Sequence, residues 1–194
     1  MIPIVVEGDT DVPIAQRLLE LVDLEISHVY GLRGKNWLDG KLRAYNAAAR
    51  YAKWFGMRDL NGDAPCAGAL VATLVPKRSP GLCFRLPVRA SEAWLLADRD
   101  RIADFLSVRI GLLPSDPDGL ADPKRELINL ARRSRSRAIR VDLVPDARST
   151  ARVGPGYTAR IIEFALRHWR PRTAAANSAS LRKCIAAIEI WSKE

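Results

Sequence analysis

Three carboxylates, Glu7, Asp9 and Asp11, stand almost side by side near the start of the chain, separated only by Gly8 and Thr10. The apolar run Ile2 to Val6 before them reads as a short buried strand. Val12 to Leu24 after them carries Val12, Ala15, Leu18, Leu19 and Val22 at helical spacing. An acid at the exit of a buried strand, a glycine that permits a tight turn, and further acids opening a helix together suit a divalent cation. The acids gain from the positive end of the helix dipole, yet at this spacing they repel one another unless a cation is present. The structural alternative is that Asp9 or Thr10 caps the helix while Glu7 is solvated.

The same pattern recurs downstream. Trp54 to Arg58 reads as a strand running into the acidic turn Asp59-Leu60-Asn61-Gly62-Asp63, and Leu82 to Val88 reads as another, followed by Ser91-Glu92. Functional groups of open α/β sheets gather at the carboxyl ends of the strands. Glu7, Asp59 and Glu92 are therefore candidates for one hard-cation site, with Mg2+ or Mn2+ as the ion, since both take oxygen ligands and retain waters. Such an ion polarises a phosphoryl group or activates water. The densest basic run, Arg132, Arg133, Arg135 and Arg137 with Arg140 beyond, either neutralises nucleic-acid phosphates or is a solvated helix face. Arg58 and Arg89, at strand ends beside the acids, either bind phosphate or pair with Asp59 or Glu92.

These side chains must be positioned by alternating elements. Ser27 to Leu32 predicts a strand and Trp37 to Ala52 a helix. Ala67 to Leu74 predicts a short helix, and Ser91 to Leu106 a longer one capped by Ser91. Pro87 marks the fourth strand as an edge or a strand end. This alternation predicts an α/β fold with a mainly parallel sheet flanked by helices over residues 1–106. Residues 107–194 predict a mainly helical extension packed on that core: a loop over 107–121, then helices at Lys124 to Arg135, Tyr157 to Trp169 and Ser180 to Trp191. Asp98, Asp100 and Asp104 are expected to face solvent, and Cys66 to be a buried or inert thiol. Trp37, Trp54, Trp94, Trp169 and Trp191 are assigned to packing.

Composition narrows the function. The chain has 194 residues, 48% of them hydrophobic, enough for a substantial core, and 31 Lys and Arg against 22 acids give a formal charge of +9. That balance favours a polyanionic partner, nucleic acid first. Cys66, Cys83 and Cys184 are widely spaced and there are only two histidines, which argues against a zinc site or disulfide framework and for the cytoplasm. The first apolar run is too short, and interrupted by Glu7, for a secretory leader. No segment has the length of a membrane span. No phosphate-cradling GxxxxGKS loop is present, so ATP hydrolysis by this chain alone is not expected.

Val5-Val6-Glu7-Gly8-x-x-Asp11 before an amphipathic helix resembles the opening motif of the TOPRIM domain of topoisomerases, primases and OLD-family nucleases. The stretch from Trp54 to Asp63 resembles that fold's second acidic motif, an Asp-x-Asp after a hydrophobic strand. The run Arg89-Ala90-Ser91-Glu92-Ala93-Trp94-Leu95-Leu96-Ala97-Asp98 is similar to the signature of a bacterial TOPRIM-like family catalogued only as domain of unknown function 4276. Asp122-Pro123-Lys124, Gly156-Tyr157 and Ser180-Leu181-Arg182 also fit that family. The resemblance implies a TOPRIM-like fold and a metal-dependent nuclease in which Glu7 is a ligand or general acid/base, Asp11 a second acid, and Asp59 a metal ligand. Ser91-Glu92 would serve a second metal, and Lys124 would stabilise charge at phosphorus. It further implies DNA before RNA as substrate, a companion ATPase of the ABC or SMC type, and a place in anti-phage defence. The departure is Asn61 where a second aspartate is expected; Asp63 substitutes if the loop folds back. The rival reading is a non-catalytic nucleic-acid-binding or regulatory subunit of such an ATPase complex.

Overall fold

The computed structural model describes residues 1–194. Four strands, β1 (Ile2–Val6), β2 (Ile26–Gly31), β3 (Trp54–Met57) and β4 (Leu82–Arg85), form one all-parallel sheet in the order β2-β1-β3-β4. The register aligns the carboxyl ends: Val6 lies opposite Met57, and Met57 opposite Arg85. The residues that follow β1, β3 and β4 therefore emerge along one edge.

The strands are apolar without interruption because both faces are covered, as parallel sheets require. Ile2, Ile4, Val6, Phe55, Met57 and Cys83 pack on one face beneath α1 (Asp11–Leu19), α4 (Ser91–Leu96), α8 (Tyr157–Arg167) and α10 (Ala179–Trp191). Val5 and Phe84 point to the other face, under Leu38 and Leu42 of α2 (Lys35–Ala48) and Leu70 of α3 (Ala67–Leu74). At the end of β2 the chain must turn against β1. A Cβ on Gly31, whose φ is +98°, would lie 2.0 Å from the Val6 carbonyl oxygen, so only glycine fits.

The expected α/β class with a helical C-terminal part is the architecture adopted. Helices α5 (Arg99–Leu106), α6 (Pro123–Arg132), α7 (Arg137–Leu143) and α9 (Pro171–Ala174) complete it. The larger core draws on residues from Ile2 to Trp191, so the C-terminal helices share the core of the sheet. No helix is long and apolar enough to cross a membrane.

Several details differ from expectation. Ser91 to Leu106 is two helices, not one, broken at Ala97 and Asp98. Asp98 does not face solvent: it is 1% exposed and accepts bonds from the Arg170 backbone and guanidinium. Neither α7 nor α9 follows from periodicity. Ser136 caps α7 through the Ile139 amide, which turns the end of the basic run into a helix start. Ser91 is not a cap, because Ala90 occupies that position and the Ser91 hydroxyl is used elsewhere. Cys66 is exposed, and its sulfur caps α3 by accepting from the Ala69 amide.

Candidate functional site

Glu7 leaves β1, Asp11 opens α1, Asp59 leaves β3, and Ser91-Glu92 begin α4. The aligned strand ends bring these residues together. The Gly8 amide donates to Asp11 Oδ2 at 2.9 Å, and the Ser91 hydroxyl donates to Asp11 Oδ1 at 3.1 Å. The Ser91 amide donates to Asp59 Oδ1 at 2.9 Å. Ser91 thus ties the acid of α1 to the acid of β3, while Thr10, at the N-cap of α1, makes no side-chain cap bond.

Glu92 is 1% exposed and is held by two residues from the helical half of the chain. The Tyr157 hydroxyl donates to Glu92 Oε1 at 2.7 Å, and Lys124 Nζ lies 3.3 Å from the same oxygen. Glu92 Oε2 is buried with no partner, and so is Glu7 Oε2. A buried carboxylate oxygen left unpaired costs free energy that a cation would recover.

The electrostatics have the same origin. Burial pushes the Asp11 carboxyl up to about 7; repulsion from Glu92 and Glu7 adds to this, against the bonds from Gly8 and Ser91. Burial, then repulsion from Asp11, Glu92 and Glu7, holds Asp59 well above the usual carboxylate range. Glu7 is raised by burial despite the charge of Arg58. Burial works against the Lys124 ammonium, but Glu92, Asp59 and Asp11 raise it overall. Burial and the Glu92 charge raise the Tyr157 phenol, which stays a donor.

These residues fit a hard divalent cation in chemistry: every donor is an oxygen, and two are buried without partners. No three of the acids already form a ligand set. Asp11, Asp59 and Glu92 are each held by an amide, a hydroxyl or an ammonium.

Asp63 does not join the cluster. Lys35 Nζ sits 2.7 Å from its Oδ1 and Arg58 Nη2 2.5 Å from its Oδ2, and these bonds lower its carboxyl below the ordinary value. The loop folds toward cations rather than toward Glu7. Arg58, 2% exposed, pairs with Asp39 and Asp63 and donates to the Asp59 carbonyl, so it is neither a phosphate contact nor a partner of the Asp59 carboxylate. Asn61 is exposed at φ +56° with its amide bonded to the Arg89 carbonyl, beside the cluster but outside its hydrogen bonds.

A groove of about 570 Å3 opens from Asp59 and Asn61, with Arg89, Lys124, Arg125, Arg132 and Arg152 among its walls. Arg132 also borders a shallower hollow with Arg137 and Arg140. A cationic path thus leads away from the acids. Arg133 and Arg135 are exposed but line neither depression. Sequence reasoning missed the roles of Tyr157, Arg125 and Arg152. Gly156-Tyr157 was visible only as part of the family resemblance, and no local signal marks the two arginines.

Compared with family models, curated proteins and solved structures, the chain gives no match. The resemblance to TOPRIM proteins rests on the motif residues alone.

Proposed function

We propose that this protein is a Mg2+- or Mn2+-dependent nuclease that cleaves phosphodiester bonds of nucleic acid, DNA before RNA. The observation that carries the reading is the acidic cluster of Glu7, Asp11, Asp59 and Glu92, buried at Asp11 and Glu92 and half-buried at Glu7 and Asp59, beside a groove walled by arginines. Acids repelling one another beside a polyanion-binding surface cost stability on their own and make chemical sense around a cation.

In this reading Glu7, Asp59 and Glu92 hold the ion, with Asp11 beside them. The bound ion supplies Lewis-acid stabilisation of charge at phosphorus and acidifies water. Tyr157 and Lys124 engage Glu92 Oε1, while Oε2 has no protein partner, so Glu92 would be free to help hold the ion. Lys124, half exposed and lining the groove, sets a positive charge beside the phosphoryl group. Arg89, Arg132 and Arg152 hold flanking phosphates and position the strand without reading its sequence. The motif resemblance extends the proposal to an ABC- or SMC-type ATPase partner and a role in anti-phage defence in the cytoplasm.

The test incubates the purified chain with plasmid, linear duplex and single-stranded substrates and either metal. Glu7→Gln or Asp59→Asn should slow cleavage roughly 100-fold or more, since ligand loss removes several kcal/mol of charge stabilisation. Arg132→Glu with Arg152→Glu should weaken substrate binding and flatten its salt dependence. Absence of cleavage under every condition, or equal cleavage by the acid variants, refutes the nuclease. Retained binding without cleavage selects the regulatory subunit, the reading that Asn61 at the second-aspartate position favours.

A further inference from the structure

A second cavity, of about 530 Å3, shares no wall residue with the groove beside Asp59. Its size is that of a small-molecule site. It lies beside β4, the last strand of the sheet, where α3 from one face and α10 from the other both reach it. Phe84 and Leu86, almost fully buried, form its floor, and Val71 and Val88 are its half-buried sides. Seven of its thirteen wall residues are hydrophobic, against four of fifteen in the groove beside Asp59. The groove suits a strand of phosphates, whereas this cavity requires a ligand with an apolar body.

Charge sets the other half of that ligand. Arg85 of β4, Arg78 ahead of β4 and Lys183 of α10 come to the cavity from three separate segments. None of them forms an ion pair. The Arg85 Nε is buried without a partner, a desolvated donor that an incoming oxygen would satisfy. The acid in the wall, Asp118, is already engaged by the Ser178 hydroxyl and by the amide and hydroxyl of Ser180. Three cations and one acid leave a charge of +2, the counterpart of a phosphate monoester close to its dianion at neutral pH. A guanidinium grips two oxygens of such a head at once.

We propose that this cavity binds a small organic phosphate, a monoester with a ring-bearing apolar body. The body rests on Phe84 and Leu86, and Arg78, Arg85 and Lys183 hold the head. The first turn of α3, at Ala67 and Gly68, borders the same space and adds partial positive charge. Inorganic phosphate leaves the apolar floor unfilled, and a neutral ring leaves the cations unpaired. Cys66, the exposed cysteine of the chain, stands in the wall and serves as a built-in reporter of occupancy.

The test titrates the full chain, in chelator, with phenyl phosphate, adenosine 5′-phosphate and inorganic phosphate, read by calorimetry. The organic esters are expected to bind roughly tenfold or more tighter than inorganic phosphate, the buried ring supplying the difference. A preference for the adenosine ester identifies the body as a nucleoside, and the reverse identifies it as a simple aryl group. Arg78→Glu with Lys183→Glu, both at exposed positions, should cost roughly tenfold or more in affinity. Bound ester should slow alkylation of Cys66 by iodoacetamide, and Arg132→Glu with Arg152→Glu should bind as wild type does. Absence of binding by both esters overturns the proposal, as do equal binding of inorganic phosphate, undiminished affinity in the charge-reversed chain, or an unprotected Cys66. Loss of binding in the Arg132 and Arg152 variant would overturn it by moving the phosphate to the groove beside Asp59. None of these outcomes depends on nuclease activity.

Discussion

Raising the pH through neutrality is expected to loosen the metal-free protein. Asp11, pushed up to about 7 from an ordinary 3.8, keeps a proton in the native state across an interval where the unfolded chain has released it. The native state then binds more protons, so unfolding free energy falls as pH rises through that window. From near pH 5 to above pH 7 the loss for Asp11 alone is about 3 kcal/mol, at about 1.4 kcal/mol per pH unit. For a chain of this size that is a fall in Tm of roughly 6–12 °C. Asp59 and Glu7 are raised in the same direction and add to the same slope. Asp63, lowered by Lys35 and Arg58, contributes stability that is lost only as pH drops below the ordinary carboxylate range. Lys124, raised by Glu92, loses its contribution only at alkaline pH. The assay is thermal unfolding in chelator near pH 5 and near pH 8, for wild type and Asp11→Asn, repeated with Mg2+. Asp11→Asn should flatten the slope. Mg2+ should raise Tm near pH 8, by about 2.7 kcal/mol of stability at a hundredfold excess over its dissociation constant, and far less near pH 5. A metal-free Tm that holds or rises between the two pH values would refute the reasoning, as would an unchanged slope in Asp11→Asn.

Tyr157→Phe removes the 2.7 Å donor to a buried glutamate and should cost about 1.5–3 kcal/mol, read as a lower Tm. It should also shrink the Mg2+-induced shift; an undiminished shift would show that Tyr157 only packs. At Gly81 an added Cβ would lie 2.2 Å from the Ala49 oxygen and 2.6 Å from that of Ala52, both backbone atoms that cannot rotate away. Gly81→Ala should therefore destabilise by about 1–3 kcal/mol. Gly40→Ala, on α2 with nothing within 4 Å, should instead stabilise by about 0.8–1 kcal/mol. Denaturant titration distinguishes the two, and equal midpoints would contradict the packing described.

Local patterns revealed the strands and the acids at their ends because an apolar run followed by Glu7 or Asp59 is a short-range signal. Partners distant in the chain were not legible. Periodicity carried Ser91 to Leu106 through as one helix, whereas the chain breaks at Asp98, whose carboxylate is turned inward to Arg170, 72 residues on. Tyr157 read as the start of a helix, since its partner Glu92 lies 65 residues away. Asp63 was an attractive substitute for the missing aspartate until Lys35 and Arg58, from the loop's surroundings, claimed it. In each case a charge was visible, and the group that satisfied it was not.

The strand order also dictates when the acidic cluster can exist during synthesis. Parallel neighbours cannot close as hairpins, so each pairing waits for an intervening helix. β1, in the interior of the sheet, waits for both its partners. A chain leaving the ribosome exposes Glu7, Asp11 and Asp59 long before Lys124 and Tyr157 arrive to restrain Glu92. Nonlocal contacts of this kind form late and cooperatively. The order of translation therefore bears on when the cluster is complete: a chain that stops short of Lys124 and Tyr157 carries the acids without the groups that restrain Glu92.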